Sequence, residues 1–311
     1  MDKYIYHYTT VETLYRIIST KSLLLASTKN MNDPLEGSYS VSSFLEDIEG
    51  MAKESDDLAS IPFLPQLFDK VVNEKESFNK LCEQESTPYV ACFSQKKDNL
   101  SHWERYANDS TGVCITFNVD ILNNLQPPNF PIIKLRKIDY TSQEIKTTVN
   151  DHLSTLYSRI LNHLGNKGQE FESILLRNGT RHLAAVYQSI QFCIKNEYWN
   201  EEDEVRLYYN DQEWQDFIRI LKEMEKDTDD NFTEQIINYH KSLGLDTIEF
   251  HCFSTIRSFR RLSLNTIWSS DLIPEIMLGT FCKQNKQELK DFLKTVGLSK
   301  TKITESKIKI R

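Results

Sequence analysis

Strand-like runs stand near both ends of this chain, and long helical stretches lie between them with no linker to part the two. Strands so placed are expected to meet in one sheet assembled from distant segments. Tyr4, Tyr6 and Tyr8 alternate with Ile5 and His7, a period-2 pattern rich in β-formers. Further short strands are expected over residues 23–27, 89–94, 113–117, 132–140 and 204–209. Later ones fall around 247–253, 262–267 and 276–278, and Ile303, Ile308 and Ile310 suggest a last one. Helical insertions fill about 41–86, 145–198 and 213–243. With no internal repeat and no Gly/Ser linker, the pattern predicts a single α+β domain over 1–311.

Local signals mark several boundaries. Thr9 stands three residues before Glu12, a capping-box spacing, and Val11, Leu14, Ile17 and Ile18 follow at helical intervals. Asn30 to Pro34 carries strong turn chemistry. Pro62 and Pro65 interrupt the first insertion, and the second breaks near 165–168. Leu153, Leu156, Tyr157, Ile160 and Leu164 form an apolar stripe in that second insertion. Gly297 is placed to end a helix over 285–296.

Composition removes several classes of function. No apolar run approaches the roughly 20 residues that span a bilayer, so no membrane partner is expected. The first ten residues lack the apolar stretch of a secretory signal, and the expected location is the cytoplasm. The six cysteines have no CxxC spacing and read as reduced thiols. The seven histidines have no zinc-site pairing, so no metal is expected. A net charge of −8 rules out a globally basic surface for nucleic acid while leaving room for a local patch. P-loop, GxGxxG, GxSxG and kinase HRD motifs are absent.

Four constellations remain, of which Asn32-Asp33-Pro34-Leu35-Glu36 is either a plain surface turn or a loop that covers a site. His7-Tyr8-Thr9 ends a strand where a helix begins; it can face a cleft or serve only the strand and the cap. Trp103, Tyr106 and Ala107 share a helical face, either as core or as an aromatic wall for a flat ring. Glu202, Glu204 and Arg206 would line one side of a strand, with Val205 and Leu207 buried on the other. They form either a solvated charged face or a carboxylate pair able to stabilise an oxocarbenium-like centre. Arg177/Arg181/His182 and Arg257/Arg260/Arg261 are basic clusters best read as solvated.

Taken in order, the pieces carry a resemblance. YHYT, SLLLAS, NDPLE, CFS, W-x-x-YA-x-x-x-x-GVCI-x-F, K-x-x-x-W-x-x-E-x-E-x-R and I-P-E-I-x-LG follow one another along the chain. The set resembles a bacterial family known only as a domain of unknown function, which looks like a branch of the ADP-ribosyltransferase superfamily. The resemblance implies a split antiparallel sheet gripping NAD in a central crevice. It implies that His7, with Tyr8 and Thr9, binds NAD, and that Trp103 or Tyr106 stacks on nicotinamide. It implies that Glu204 stabilises the oxocarbenium and Glu202 orients the target, with Arg206 among the cations for the pyrophosphate. The expected activity is NAD-dependent ADP-ribosylation of RNA, DNA or protein, as in bacterial toxins and phage-defence effectors, which an antitoxin or other regulatory protein can hold in check. The alternatives are an NAD glycohydrolase and a catalytically inactive binding module of the same fold.

Overall fold

A computed structural model describes residues 2–30, 40–54, 64–82, 88–125, 132–141, 180–181, 183–184, 187–188, 191, 193–225, 231–252 and 255–308. Its frame is a large, mostly antiparallel sheet with helices packed around it, a mixed α+β architecture. The strands are β1 (Tyr4–Thr9), β2 (Ser22–Ser27), β3 (Tyr89–Ser94), β4 (Val113–Asn118) and β5 (Lys134–Lys137). They continue with β6 (Glu204–Tyr209), β7 (Ile248–Cys252), β8 (Ile256–Ser263), β9 (Glu275–Leu278) and β10 (Lys302–Glu305). The spatial order is β10-β9-β4-β1-β3-β2-β8-β7, with β6 against β3 and β5 outside β6. Of these pairings β9–β10 is parallel.

The sheet divides at β3. Along one edge β3 pairs with β6 from Tyr89 to Ser94. The other edge is shared: β2 holds Tyr89 and Val90, while β1 touches only Ser94, through Tyr6. Beyond that pair β1 leaves β3 and stays with β4 over its whole length. Between the two contacts, residues 91–93 carry no strand pair on that edge among the described residues, and this gap in the ladder is the opening of the sheet.

Alternation decides what faces the core. Ile5 in β1, Phe93 in β3, Ile115 and Phe117 in β4, and Val205 and Leu207 in β6 enter one apolar cluster. Helix α1 (Val11–Thr20) closes it with Leu14, Ile17 and Ile18, each burial stabilising by about 1.5–3 kcal/mol. The cap of α1 is Thr10, not Thr9: its hydroxyl accepts from Thr13 N at 3.1 Å. Thr9 is still strand, paired with Val113, so its side chain is not at the helix mouth.

The first insertion forms α2 (Val41–Glu54), α3 (Leu64–Asn73) and α4 (Lys75–Cys82). Phe44 stacks on Phe78 at 6.2 Å and meets Tyr187 at 5.2 Å, so the end of the second insertion packs on the first. The helix expected to run on to residue 198 has ended by Cys193, and Ile194 makes a bridge to Asp139. The turn at 31–34, Pro62 and the stripe at 153–164 lie outside the described residues. The strand expected at 262–267 is β8, which runs over Ile256–Ser263 and so begins six residues earlier, and 265–267 is a short 3-10 turn. The arginines expected as a solvated cluster are paired within the chain: Arg260 is buried against Asp211 and Arg261 bonds Glu249, both at 2.6 Å. None of the six cysteines is joined in a disulfide. Among the described residues no helix is long and apolar enough to cross a membrane.

Candidate active site

The site grows from the start of β6. Asn196 caps a 3-10 turn over Glu197–Glu202, its side chain accepting from Tyr198 N at 3.0 Å. Asp203 then takes φ 43°, a left-handed conformation that Asp tolerates, and β6 begins at Glu204. Glu202 is therefore in the turn and not on the strand, which corrects the expected i, i+2, i+4 row. Glu204 and Arg206 do share a face, opposite Ser94 and Cys92 of β3.

Lys195 restores what the turn takes away. Its Nζ lies 2.6 Å from Glu202 Oε2 and 3.3 Å from Glu204 Oε2, so both carboxylates meet one cation. Arg206 grips Glu204 in a fork, Nε to Oε1 at 2.7 Å and a terminal nitrogen to Oε2 at 3.0 Å. Tyr106 donates its hydroxyl to Glu202 Oε1, and Arg105 stands 3.5 Å from the same oxygen. Lys195 also lies over the Trp199 ring at 4.7 Å. The turn itself is pinned by Ser94, whose hydroxyl donates to Glu202 O at 2.7 Å.

Burial by itself would raise the Glu204 carboxyl, but Arg206 and then Lys195 outweigh it and hold it at about 2. Glu204 is thus ionised at neutral pH. Burial works against the charge of Lys195 too, and Glu204 and Glu202 overcome it, raising its value above that of an ordinary lysine.

His7 sits at the opening. Where the β1–β3 ladder stops, its Nδ1 bonds Cys92 O at 2.9 Å. Burial pushes the imidazole down and that bond opposes it only in part, so the ring is neutral, Nδ1 carries the proton and Nε2 is the acceptor. Cys92 links the two halves of the site: its carbonyl takes His7, and its side chain hydrogen-bonds Glu204.

Three expected ligands stand elsewhere. Tyr8 is buried on the opposite face of β1 from His7, its hydroxyl donating to Lys96 O at 2.9 Å and accepting from Asn99 N at 3.0 Å. Trp103, in α5 (Leu100–Tyr106), is fully buried edge-on to Tyr8, and its indole N–H donates to Asp98. Arg206 is likewise fully buried, so it positions Glu204 and has no open side for a pyrophosphate. Thr9 is buried two residues beyond His7, and Tyr106 keeps 39% of its surface exposed. Composition and spacing missed Tyr140, whose hydroxyl accepts from Glu204 N at 3.1 Å. They also missed the part played by Cys92, although the CFS motif contained it. An open pocket of about 350 Å³ adjoins the turn, lined by Lys96, Lys137, Tyr140, Asn200, Glu201 and Asp203. Among the described residues no group of three or more His, Cys, Asp or Glu is placed to hold a metal ion.

A family model described as "Protein of unknown function (DUF2971)" matches residues 102–207. The match takes in Trp103, Tyr106, Lys195, Glu202, Glu204 and Arg206, and begins after β1 and β3. No curated protein and no solved structure matches the chain.

Proposed function

We propose that this chain is an NAD-dependent ADP-ribosyltransferase, and that its divided sheet is the split antiparallel sheet of that superfamily. The observation that carries the reading is the junction at Cys92. There a neutral histidine from β1 and an ionised glutamate from β6 are tied to one residue of the strand where the sheet opens.

The residues fit NAD as a co-substrate. His7 Nε2 is an acceptor for a ribose hydroxyl. Tyr106 offers an exposed ring to nicotinamide beside the carboxylate it bonds. Arg105, half-exposed at the rim, is the cation for the pyrophosphate. Glu204 supplies a buried negative charge held in place by Arg206 and Lys195, and a charge fixed in advance in this way stabilises a developing cation. The bond from the ribose C1′ to the nicotinamide nitrogen breaks, and its electron pair leaves with neutral nicotinamide. The acceptor's nucleophilic atom forms the new bond to C1′ and releases its proton to water. Glu202 orients that acceptor from the turn. The setting is a bacterial toxin or defence effector acting on a macromolecule in the cytoplasm and restrained by a protein partner.

Glu204→Gln tests the reading. The amide keeps the shape and an acceptor oxygen but removes the charge. Nicotinamide release from labelled NAD in whole-cell lysate is expected to fall by about 100-fold or more. Wild-type label is expected in a protein, RNA or DNA fraction, which names the acceptor class. Label remaining wholly as free ADP-ribose would make the chain a glycohydrolase. Release unchanged by Glu204→Gln, in a variant with the wild-type circular dichroism spectrum, would remove Glu204 from the chemistry.

A further inference from the structure

The strand β7 ends the order of the sheet, and among the described residues its one strand partner is β8. An edge of this kind presents a row of backbone N–H and C=O groups to whatever comes alongside. Its side chains run against the usual pattern of a half-buried strand. Ile248, Phe250 and Cys252 share one face and are exposed, whereas Glu249 and His251 take the sheltered face. Phe250 is 70% exposed, and Ile256 of β8, paired with Cys252, extends the apolar face at 72%. The charged face is already ordered within the chain. Arg261 forks onto Glu249 at 2.6 and 2.7 Å, and His251 reaches the same carboxylate at 3.0 Å. An apolar strand face on an edge that no second strand pairs with among the described residues is a surface for pairing with another chain.

The sequence of the edge says which chain. Ile248-Glu249-Phe250-His251-Cys252 is complementary to itself when run antiparallel about Phe250. A two-fold axis there sets Phe250 against the partner's Phe250 and Ile248 against the partner's Cys252. It sets Glu249 against the partner's His251, and the same contact recurs on the other side of the axis. Centring the axis on Glu249 would oppose two carboxylates, and centring it on His251 would oppose two imidazoles. One register alone therefore joins aromatic to aromatic and acid to base, the pairs that stabilise adjacent strands. We infer that two copies of this chain associate through β7, edge to edge about Phe250, to give one sheet continuous across an isologous dimer. This inference does not depend on the activity proposed above.

Two measurements decide it. The mass of the intact chain, by light scattering at tens of micromolar, is expected to be that of a dimer. Phe250→Arg is expected to give a monomer, or a dissociation constant raised at least 10-fold; the side chain it replaces is exposed, so the fold survives. The register is read by Phe250→Cys in a Cys252→Ser background. Directly opposed residues of antiparallel strands lie within disulfide reach, so this variant is expected to oxidise to a covalent dimer. Ile256→Cys in the same background lies one strand away from the axis and is expected not to. A monomeric wild-type chain would overturn the inference. So would a dimer indifferent to Phe250→Arg, or one in which the cysteine at 256 cross-links as well as that at 250.

Discussion

Trp103 and Tyr106 stand three residues apart on one short helix and end in opposite surroundings. Trp103 is fully enclosed by Tyr8, Ala107, Cys114 and Met277. Tyr106 lies at the surface with its hydroxyl on Glu202. Trp103→Ala should therefore cost about 3–5 kcal/mol in urea unfolding, the usual loss for a large buried aromatic. Tyr106→Ala should cost about 1 kcal/mol, the worth of one hydrogen bond, yet, under the proposed activity, lower nicotinamide release sharply. The reverse pattern, activity lost with Trp103 at unchanged stability, would reverse their roles. The i, i+3 spacing marks both residues as sharing a face, and that much is legible in the sequence. Which of the two reaches the surface depends on Tyr8 and Asp98, which come from β1 and from the loop before the helix. The same holds at the charged cluster. Glu204 and Arg206 are read correctly from strand alternation, whereas Glu202 arrives by way of a left-handed Asp203 that alternation does not anticipate.

At the scale of elements, most strands are legible because β-branched and aromatic residues alternate in them, as in YIYHYT and EVRLYY. The misplaced strand is β8, IRSFRRLS, whose arginines disguise the pattern. They are bearable there because Arg260 and Arg261 each find a carboxylate on a neighbouring element. A related contact fixes the helices α7 (Asp211–Met224) and α8 (Phe232–Ser242), which follow the short α6 (Val119–Asn123) in the chain, over β6. The His240 ring of α8 stacks flat on Trp214 of α7 at 4.3 Å, and its Nε2 meets the Tyr209 hydroxyl of β6 at 2.9 Å. Burial pushes the imidazole down to about 4, against the pull of Asp246 and Asp211 and with a small push from Arg260. The unfolded chain takes up this proton near pH 6.5 and the folded chain only near 4. The unfolded state thus binds more protons in that window, and stability falls with falling pH. The full contribution stands above pH 6.5, and on the order of 3 kcal/mol is lost by pH 4. His240→Gln should flatten this part of the profile when unfolding free energy is measured from pH 7 to 4. An unchanged slope would place the titration on another group.

Across the whole molecule, the sheet joins the two ends of the chain: β1 lies on β4, β4 on β9, and β9 on β10. Two glycines set how closely these strands and α5 approach. Gly279 N donates to Gly112 O at 3.0 Å, and Gly112 N donates to Ala107 O at 2.8 Å at the end of the helix. A Cβ on Gly112 would stand 2.2 Å from Thr9 O, and one on Gly279 would stand 2.2 Å from Ser110 O. Both contacts are with backbone, which cannot swing aside. The motifs GVCI and I-P-E-I-x-LG show these glycines in the sequence, but not their purpose, since each clash involves a residue distant along the chain. Thr9 is two residues from His7, so a shift at the seam passes along β1 to the opening of the sheet. Gly112→Ala should cost about 1–3 kcal/mol through overpacking and, under the proposed activity, reduce NAD turnover even where the variant is fully folded. Gly297→Ala is the matched control. It lies at φ 87° after α9 (Lys286–Thr295), with open space around its Cβ, and should cost about 1 kcal/mol through backbone strain alone. Compared at a temperature where both are folded, Gly297→Ala should keep wild-type nicotinamide release and Gly112→Ala should not. Equal turnover in the two variants would mean that the seam bears on stability without setting the geometry at His7.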